Sequence, residues 1–147
     1  MIHLFISLAG LLAAVPLRAD LAAVRAEPNL ERRAGKALDN AGRVLKAAQE
    51  AYRTGDSNET LAAFDELRES VVLANDSLNQ TGKNPSRSPK HFKRAEIRTR
   101  ELLRRLNDFR PQMSPDDRQP LEKAEAAIQK IHEELLEGIM GGKKKKP

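Results

Sequence analysis

Leu30, Ala34, Ala37, Ala41, Val44, Ala48 and Ala51 recur at steps of four, three, four, three, four and three residues. Alternating steps of three and four return to the same side of an α-helix every two turns, so these residues form one uninterrupted seam. Leu38, Leu45 and Tyr52 widen it into a face suited to a globular bundle. Most of the seam is alanine, and Gly35 and Gly42 lie beside it. Each glycine costs about 1 kcal/mol relative to alanine inside a helix. Close approach of a neighbouring helix is the expected offset.

Three further segments follow the same logic. Gly55 suits the left-handed position that ends the first helix near Arg53, and Asp56 caps a second helix running to about Gln80. That helix is expected to bury Leu61, Phe64, Leu67, Val71, Ala74 and Leu78. Ser88-Pro89 should start a third, as N-cap followed by proline in the first turn. Phe92, Ala95, Thr99, Leu102, Leu103, Leu106, Phe109 and Met113 carry its inner side, and Pro111 stops it. Ser114-Pro115-Asp116-Asp117 signals another start, with Pro120 predicting a kink or false start before Leu121. A fourth helix then runs on Leu121, Ala124, Ile128, Ile131, Leu135 and Ile139 to Gly141-Gly142. Short connections predict an all-α fold, an antiparallel four-helix bundle with up-down-up-down order.

The chain is long enough, at 147 residues, for one domain with a real core. It has no Cys, which excludes disulfides, zinc–thiolate sites and iron–sulfur clusters. Leu4–Val15 is apolar except for Ser7 and Gly10 and is closed by Pro16. Spanning about 30 Å of hydrocarbon takes a longer helix, so this run reads as the core of a secretory signal. The expected division is 1–19 signal peptide, 20–28 flexible leader, 29–141 bundle and 142–147 disordered Lys-rich tail. On that reading the mature chain has no transmembrane segment.

Two resemblances accompany these patterns. Ala47–Asp56 followed by Leu61–Phe64 resembles the junction between tetratricopeptide repeats, where a helix ends in Ala/Tyr, turns at Gly-Asp and restarts on an Ala/Phe face. The 34-residue period of that family does not return after Gly82. Glu31–Gly142 also looks like a group of uncharacterised exported bacterial proteins. The strings involved are Gly82–Pro85, Ser88–Lys90, Phe92-Lys93, Ala95–Ile97, Thr99-Arg100, Leu102–Arg105, Glu133–Leu136 and Gly138. That resemblance implies export and an all-helical fold, and no activity.

Reaction centres are not legible. The chain has no G-x-S-x-G, S-x-x-K, H-E-x-x-H or glycine-rich phosphate loop, and neither His91 nor His132 completes a Glu-x-x-His pair. His132, with Met113 or Met140 as a second axial ligand, offers a haem reading, but a lone histidine at the edge of an apolar face is more often packing. The expectation is no enzyme, no cofactor and no metal.

Charge is the remaining signal. Lys83–Arg110 holds ten Lys/Arg against three Asp/Glu, while the chain as a whole carries +5. On the third helix Lys93, Ile97, Arg100 and Arg104 point away from the core. Arg94, Arg98 and Arg105 flank it, placed for Asp65, Glu66, Glu69 or Glu133. The bland alternative is a salt-bridged, solvated helix, built on pairs such as Glu96–Arg100 and Glu101–Arg105. The functional reading is an anion-binding ridge, joined by Lys143, Lys144, Lys145 and Lys146 beyond the Gly-Gly hinge. The partner would be an anionic envelope component or a protein, with self-association through the alanine seam a further expectation. A cytoplasmic nucleic-acid-associated protein is the alternative if the N-terminal run is retained.

Overall fold

The structure is a computed structural model and describes residues 17–141. The apolar run Leu4–Val15 and the lysines Lys143–Lys146 lie outside the described residues. The fold is all-helical, with α1 Leu17–Arg25, α2 Leu30–Arg53, α3 Ser57–Gln80, α4 Lys90–Phe109 and α5 Gln119–Ile139. Two single 3-10 turns, Arg110–Gln112 and Pro115–Asp117, link α4 to α5.

Local chemistry sets most boundaries. Asn29 Oδ1 accepts the Arg32 amide at 2.8 Å and Asp56 Oδ1 accepts the Glu59 amide at 3.0 Å, satisfying free donors at the starts of α2 and α3. Between them Gly55 has φ +78°, and the Asp56 amide returns to the Ala51 carbonyl at 2.9 Å, closing α2 with a Schellman-type cap. One expectation shifts and one holds. Helix α4 begins at Lys90, and no side chain caps it, so Ser88 is not its N-cap. The false start before Leu121 is real: Pro115–Asp117 forms its own 3-10 turn, and Pro120 then falls in the first turn of α5, where its missing N–H is not needed.

The helices pack around one core. Helix α2 meets α3 along their length, and its seam residues Ala37, Ala41, Val44 and Ala48 are fully buried. Phe64 of α3 stacks on Phe109 of α4 with ring centroids 6.5 Å apart, and Tyr52 of α2 meets Phe109 edge-on at 5.9 Å. Such aromatic pairs contribute about 1 kcal/mol each beyond their buried area. Asn40 reaches back from α2 to Glu66 and Ser70 on α3, and Thr99 of α4 meets His132 of α5. Glu31–His91, Asp39–Arg98 and Gly42–Arg105 contacts advance together along α2 and α4.

Five helices pack together, one more than expected. Helix α1 lies against α2 and α3, with Leu21 buried and Val24 half-buried. Leu21 and Val24 are three residues apart, so one side of this short helix is apolar. Residues 20–28, expected as a flexible leader, therefore hold helix as far as Arg25. Asp20 pairs with Arg43 at 2.9 Å and Arg25 with Glu69 at 3.5 Å.

Two packing expectations are corrected. Neither Gly35 nor Gly42 makes room for a neighbouring backbone: a Cβ on Gly35 would meet nothing within 4 Å, and one on Gly42 would meet only the guanidinium tips of Arg105 and Arg98. Leu61, expected inside, is 49 % exposed, whereas Thr60, Glu66, Ser70 and Ser77 of the same helix are buried.

Candidate functional site

Helix α4 turns Phe92, Ala95, Thr99, Leu102, Leu106 and Phe109 inward, and this fixes which residues face out. Lys93, Arg100 and Arg104 are exposed, and Ile97 between them is 51 % exposed. The four expected ridge residues thus share the outer face, but they are not equivalent. Arg100 Nε lies 3.4 Å from Glu96 and Arg104 Nη1 3.2 Å from Asp108, each one turn away on the same helix. Lys93 makes no carboxylate contact among the described residues. Neither do Arg87, Lys90 and Arg94, all exposed beside it. Uncompensated charge therefore gathers at the N-terminal half of α4. The expected ridge spread it along the whole helix; the Glu96–Arg100 pair was legible at i, i+4, and Asp108, four residues after Arg104, is the carboxylate left out.

Of the flanking arginines, Arg98 and Arg105 find other partners than Asp65, Glu66, Glu69 and Glu133. Arg98 pairs with Asp39 at 2.9 Å and donates to the Leu38 carbonyl at 3.2 Å. Both terminal nitrogens of Arg105 donate to the Gly42 carbonyl at 3.3 Å, in place of the expected pair with Glu101. Both arginines thus bind α4 to α2. A cavity of about 190 Å³ lies between them, but Glu101 also lines it, and Asp39 already holds Arg98.

At the start of α4 the loop is tied to α2. Glu31 receives Lys83 and lies 2.9 Å from His91 Nε2. The hydrogen bond from Lys83 holds the Glu31 carboxyl below its ordinary range, with the charges of His91, Lys83 and Lys90 adding to it against some desolvation. Glu27, between α1 and α2, is held low in the same way. Lys36 donates to it at 2.6 Å, and the Asn29 amide and Arg32 reinforce the effect.

His132 is buried against Thr99, whose hydroxyl lies 3.0 Å from Nδ1, and Glu96 stands 3.9 Å from Nε2. The order Thr–His–Glu resembles a relay, but Thr99 is 1 % exposed and its hydroxyl also meets the carbonyls of Ala95 and Glu96 at 2.9 Å. This group acts as a hydrogen-bonded tie between α4 and α5. Met113 is buried in the link at one end of α5, and Met140 is 77 % exposed at the other. Among the described residues no group of three His, Cys, Asp or Glu side chains is arranged to hold a metal, and no helix is long and apolar enough to cross a membrane.

Compared with protein-family models, with curated proteins and with solved structures, the chain matches none. Neither the tetratricopeptide-like junction nor the likeness to exported bacterial proteins gains support from these comparisons. The all-helical fold rests on the structure itself.

Proposed function

We propose that this chain is an exported, non-enzymatic helical bundle of the bacterial periplasm or envelope, acting as a binding or structural module. Its core is an up-down-up-down arrangement of α2 to α5, a reading supported by contacts that reverse between α2 and α3, Leu38 beside Leu78 and Asn40 on Ser70, and advance together between α2 and α4. Residues 1–19 are its signal peptide. It contacts an anionic partner through the outer face of α4, with Lys143–Lys146 as an auxiliary basic tail. The observation that carries this reading is the exposed pair Lys93 and Arg94, without a carboxylate contact among the described residues, with Lys90 and half-exposed Ile97 beside them. Neutralising Lys90, Lys93 and Arg94 together to Gln should move the protein from envelope to soluble fractions. Unchanged fractionation would remove the proposal.

A second reading, a cytoplasmic nucleic-acid-associated bundle with its N-terminus retained, draws on α1. That helix begins at Leu17, ahead of the expected cleavage after Ala19, and buries Leu21. The mass of the native N-terminus separates the two: an intact Met1 on soluble cytoplasmic protein selects the second.

A further inference from the structure

One end of the bundle gathers exposed cations and exposed apolar side chains. There the loop after α3 crosses the end of α5: Pro85 lies against Gly138, and Ser86 comes within 3.9 Å of the position a Cβ on Gly141 would take. The loop delivers Arg87 and the first turns of α4, with Lys90, Lys93 and Arg94, to this end. All four are exposed with no carboxylate at ion-pair distance among the described residues; Glu31 is engaged by Lys83 and His91, with the charge of Lys90 also acting on it, and exposed Glu137 stands next to Gly138. Ile97 follows one turn further on, and Met140, beside the loop's crossing, is 77 % exposed.

We infer that this end is a docking surface for an anionic phospholipid bilayer, with Arg87, Lys90, Lys93 and Arg94 on the headgroups and Ile97 and Met140 entering between them. The inference rests on the anionic-partner reading above and names the partner. Three features select lipid over other polyanions. Exposed apolar side chains beside cations suit an interface whose outer layer is charged and whose interior is not. Among the described residues no phenylalanine is exposed for stacking on bases, since Phe64, Phe92 and Phe109 are buried, and Tyr52 is turned to Phe109. Along the rest of α4, Glu101 and Asp108 would repel phosphates tracking the helix, whereas an end-on approach avoids them.

The test is sedimentation of the full-length protein with phosphatidylcholine vesicles, with and without phosphatidylglycerol, alongside retention on heparin. Binding should require phosphatidylglycerol and fall with salt. Lys93→Glu with Arg94→Glu should lower the partition coefficient about 25-fold or more, since each cation near such a surface strengthens binding roughly fivefold and the two factors multiply. Ile97→Gln with Met140→Gln should also weaken binding and leave the remainder more sensitive to salt. Arg100→Gln with Arg104→Gln, whose charges are met within the helix, should change it less than about twofold. Equal binding to both vesicle types, or equal damage from the two charge variants, overturns the lipid assignment. Absent vesicle binding with heparin retention that Lys93→Glu and Arg94→Glu abolish also overturns it, while leaving the anionic-partner reading in place. Loss of both removes both.

Discussion

Pro85, in the loop after α3, sits directly on Gly138 near the end of α5. A Cβ on Gly138 would lie 3.1 Å from Cγ and 3.2 Å from Cβ of the proline ring. A helical glycine usually gains about 1 kcal/mol on replacement by alanine. Here the new methyl group meets a stiff ring, and such overpacking costs about 1–3 kcal/mol. Gly138→Ala is therefore expected to destabilise the protein by about 1 kcal/mol. In a Pro85→Gly background the same replacement should stabilise it. Urea midpoints for the four proteins of the cycle measure the coupling, and additive effects would show that the two residues do not meet as described.

Gly35 gives the opposite outcome. Its Cβ position has no neighbour within 4 Å, and only a small gap of about 10 Å³ lies between it and Leu38, Leu78 and His91. Gly35→Ala should raise stability by about 1 kcal/mol, the propensity difference alone. A thermal midpoint unchanged or lowered would mean that another segment approaches this part of α2.

The contrast between these glycines marks how far the sequence could be read. The bounds of α2 and α3 followed from Asn29, Gly55 and Asp56, because capping is local chemistry. The inner side of α4 followed from its periodicity. What failed was information held between elements. A glycine shows that space is available, not which neighbour uses it. Leu61 fitted the seam of α3, yet the structure leaves it exposed at the end of the bundle and buries Thr60, Glu66, Ser70 and Ser77 instead. Thr60, Glu66 and Ser70 are buried with hydrogen-bond partners, which hydropathy does not count, whereas the Ser77 hydroxyl is buried without one. Helix α1, whose Leu21 packs beside α2 and α3, was read as leader because nine residues are too few to declare themselves by period. For the candidate site, the outward positions of Lys93, Ile97, Arg100 and Arg104 were legible. The partner of Arg105 was not, since matching charges cannot find the Gly42 carbonyl.

Asn40 is the clearest buried polar contact. Its amide nitrogen serves Glu66 Oε1 at 3.0 Å and Ser70 Oγ at 2.9 Å, and its oxygen accepts from Arg43, which pairs with Asp20 of α1. Glu66 is 3 % exposed and its other oxygen has no partner in the structure, so Asn40 supplies its one side-chain hydrogen bond. Asn40→Ala should cost about 2–3 kcal/mol, because it leaves a buried carboxyl and a buried hydroxyl without that donor. Asn40→Asp should be at least as damaging, since it sets a second carboxyl against the first. Denaturant titration of both variants checks this, and a loss below about 0.5 kcal/mol would mean that water replaces the amide.

Acid should loosen the α1–α2 corner and the start of α4 together. Glu27 and Glu31 both titrate below the ordinary value of 4.5 in the folded chain, first through hydrogen bonds from Lys36 and Lys83 respectively. A carboxyl held low when folded takes up protons more readily when unfolded. Its contribution is thus fully present above the ordinary value and is lost as pH falls through the lowered one. Stability should therefore fall on acidification below 4.5. Part of that fall should vanish in Glu27→Gln with Glu31→Gln, which should itself be less stable than the parent at neutral pH. Lys36 and Lys83 are about half exposed, so high salt should shrink the difference between variant and parent. Chemical denaturation across this range, at low and high salt, reads all three effects. An acid profile identical in variant and parent would place the responsible carboxyls elsewhere in the bundle.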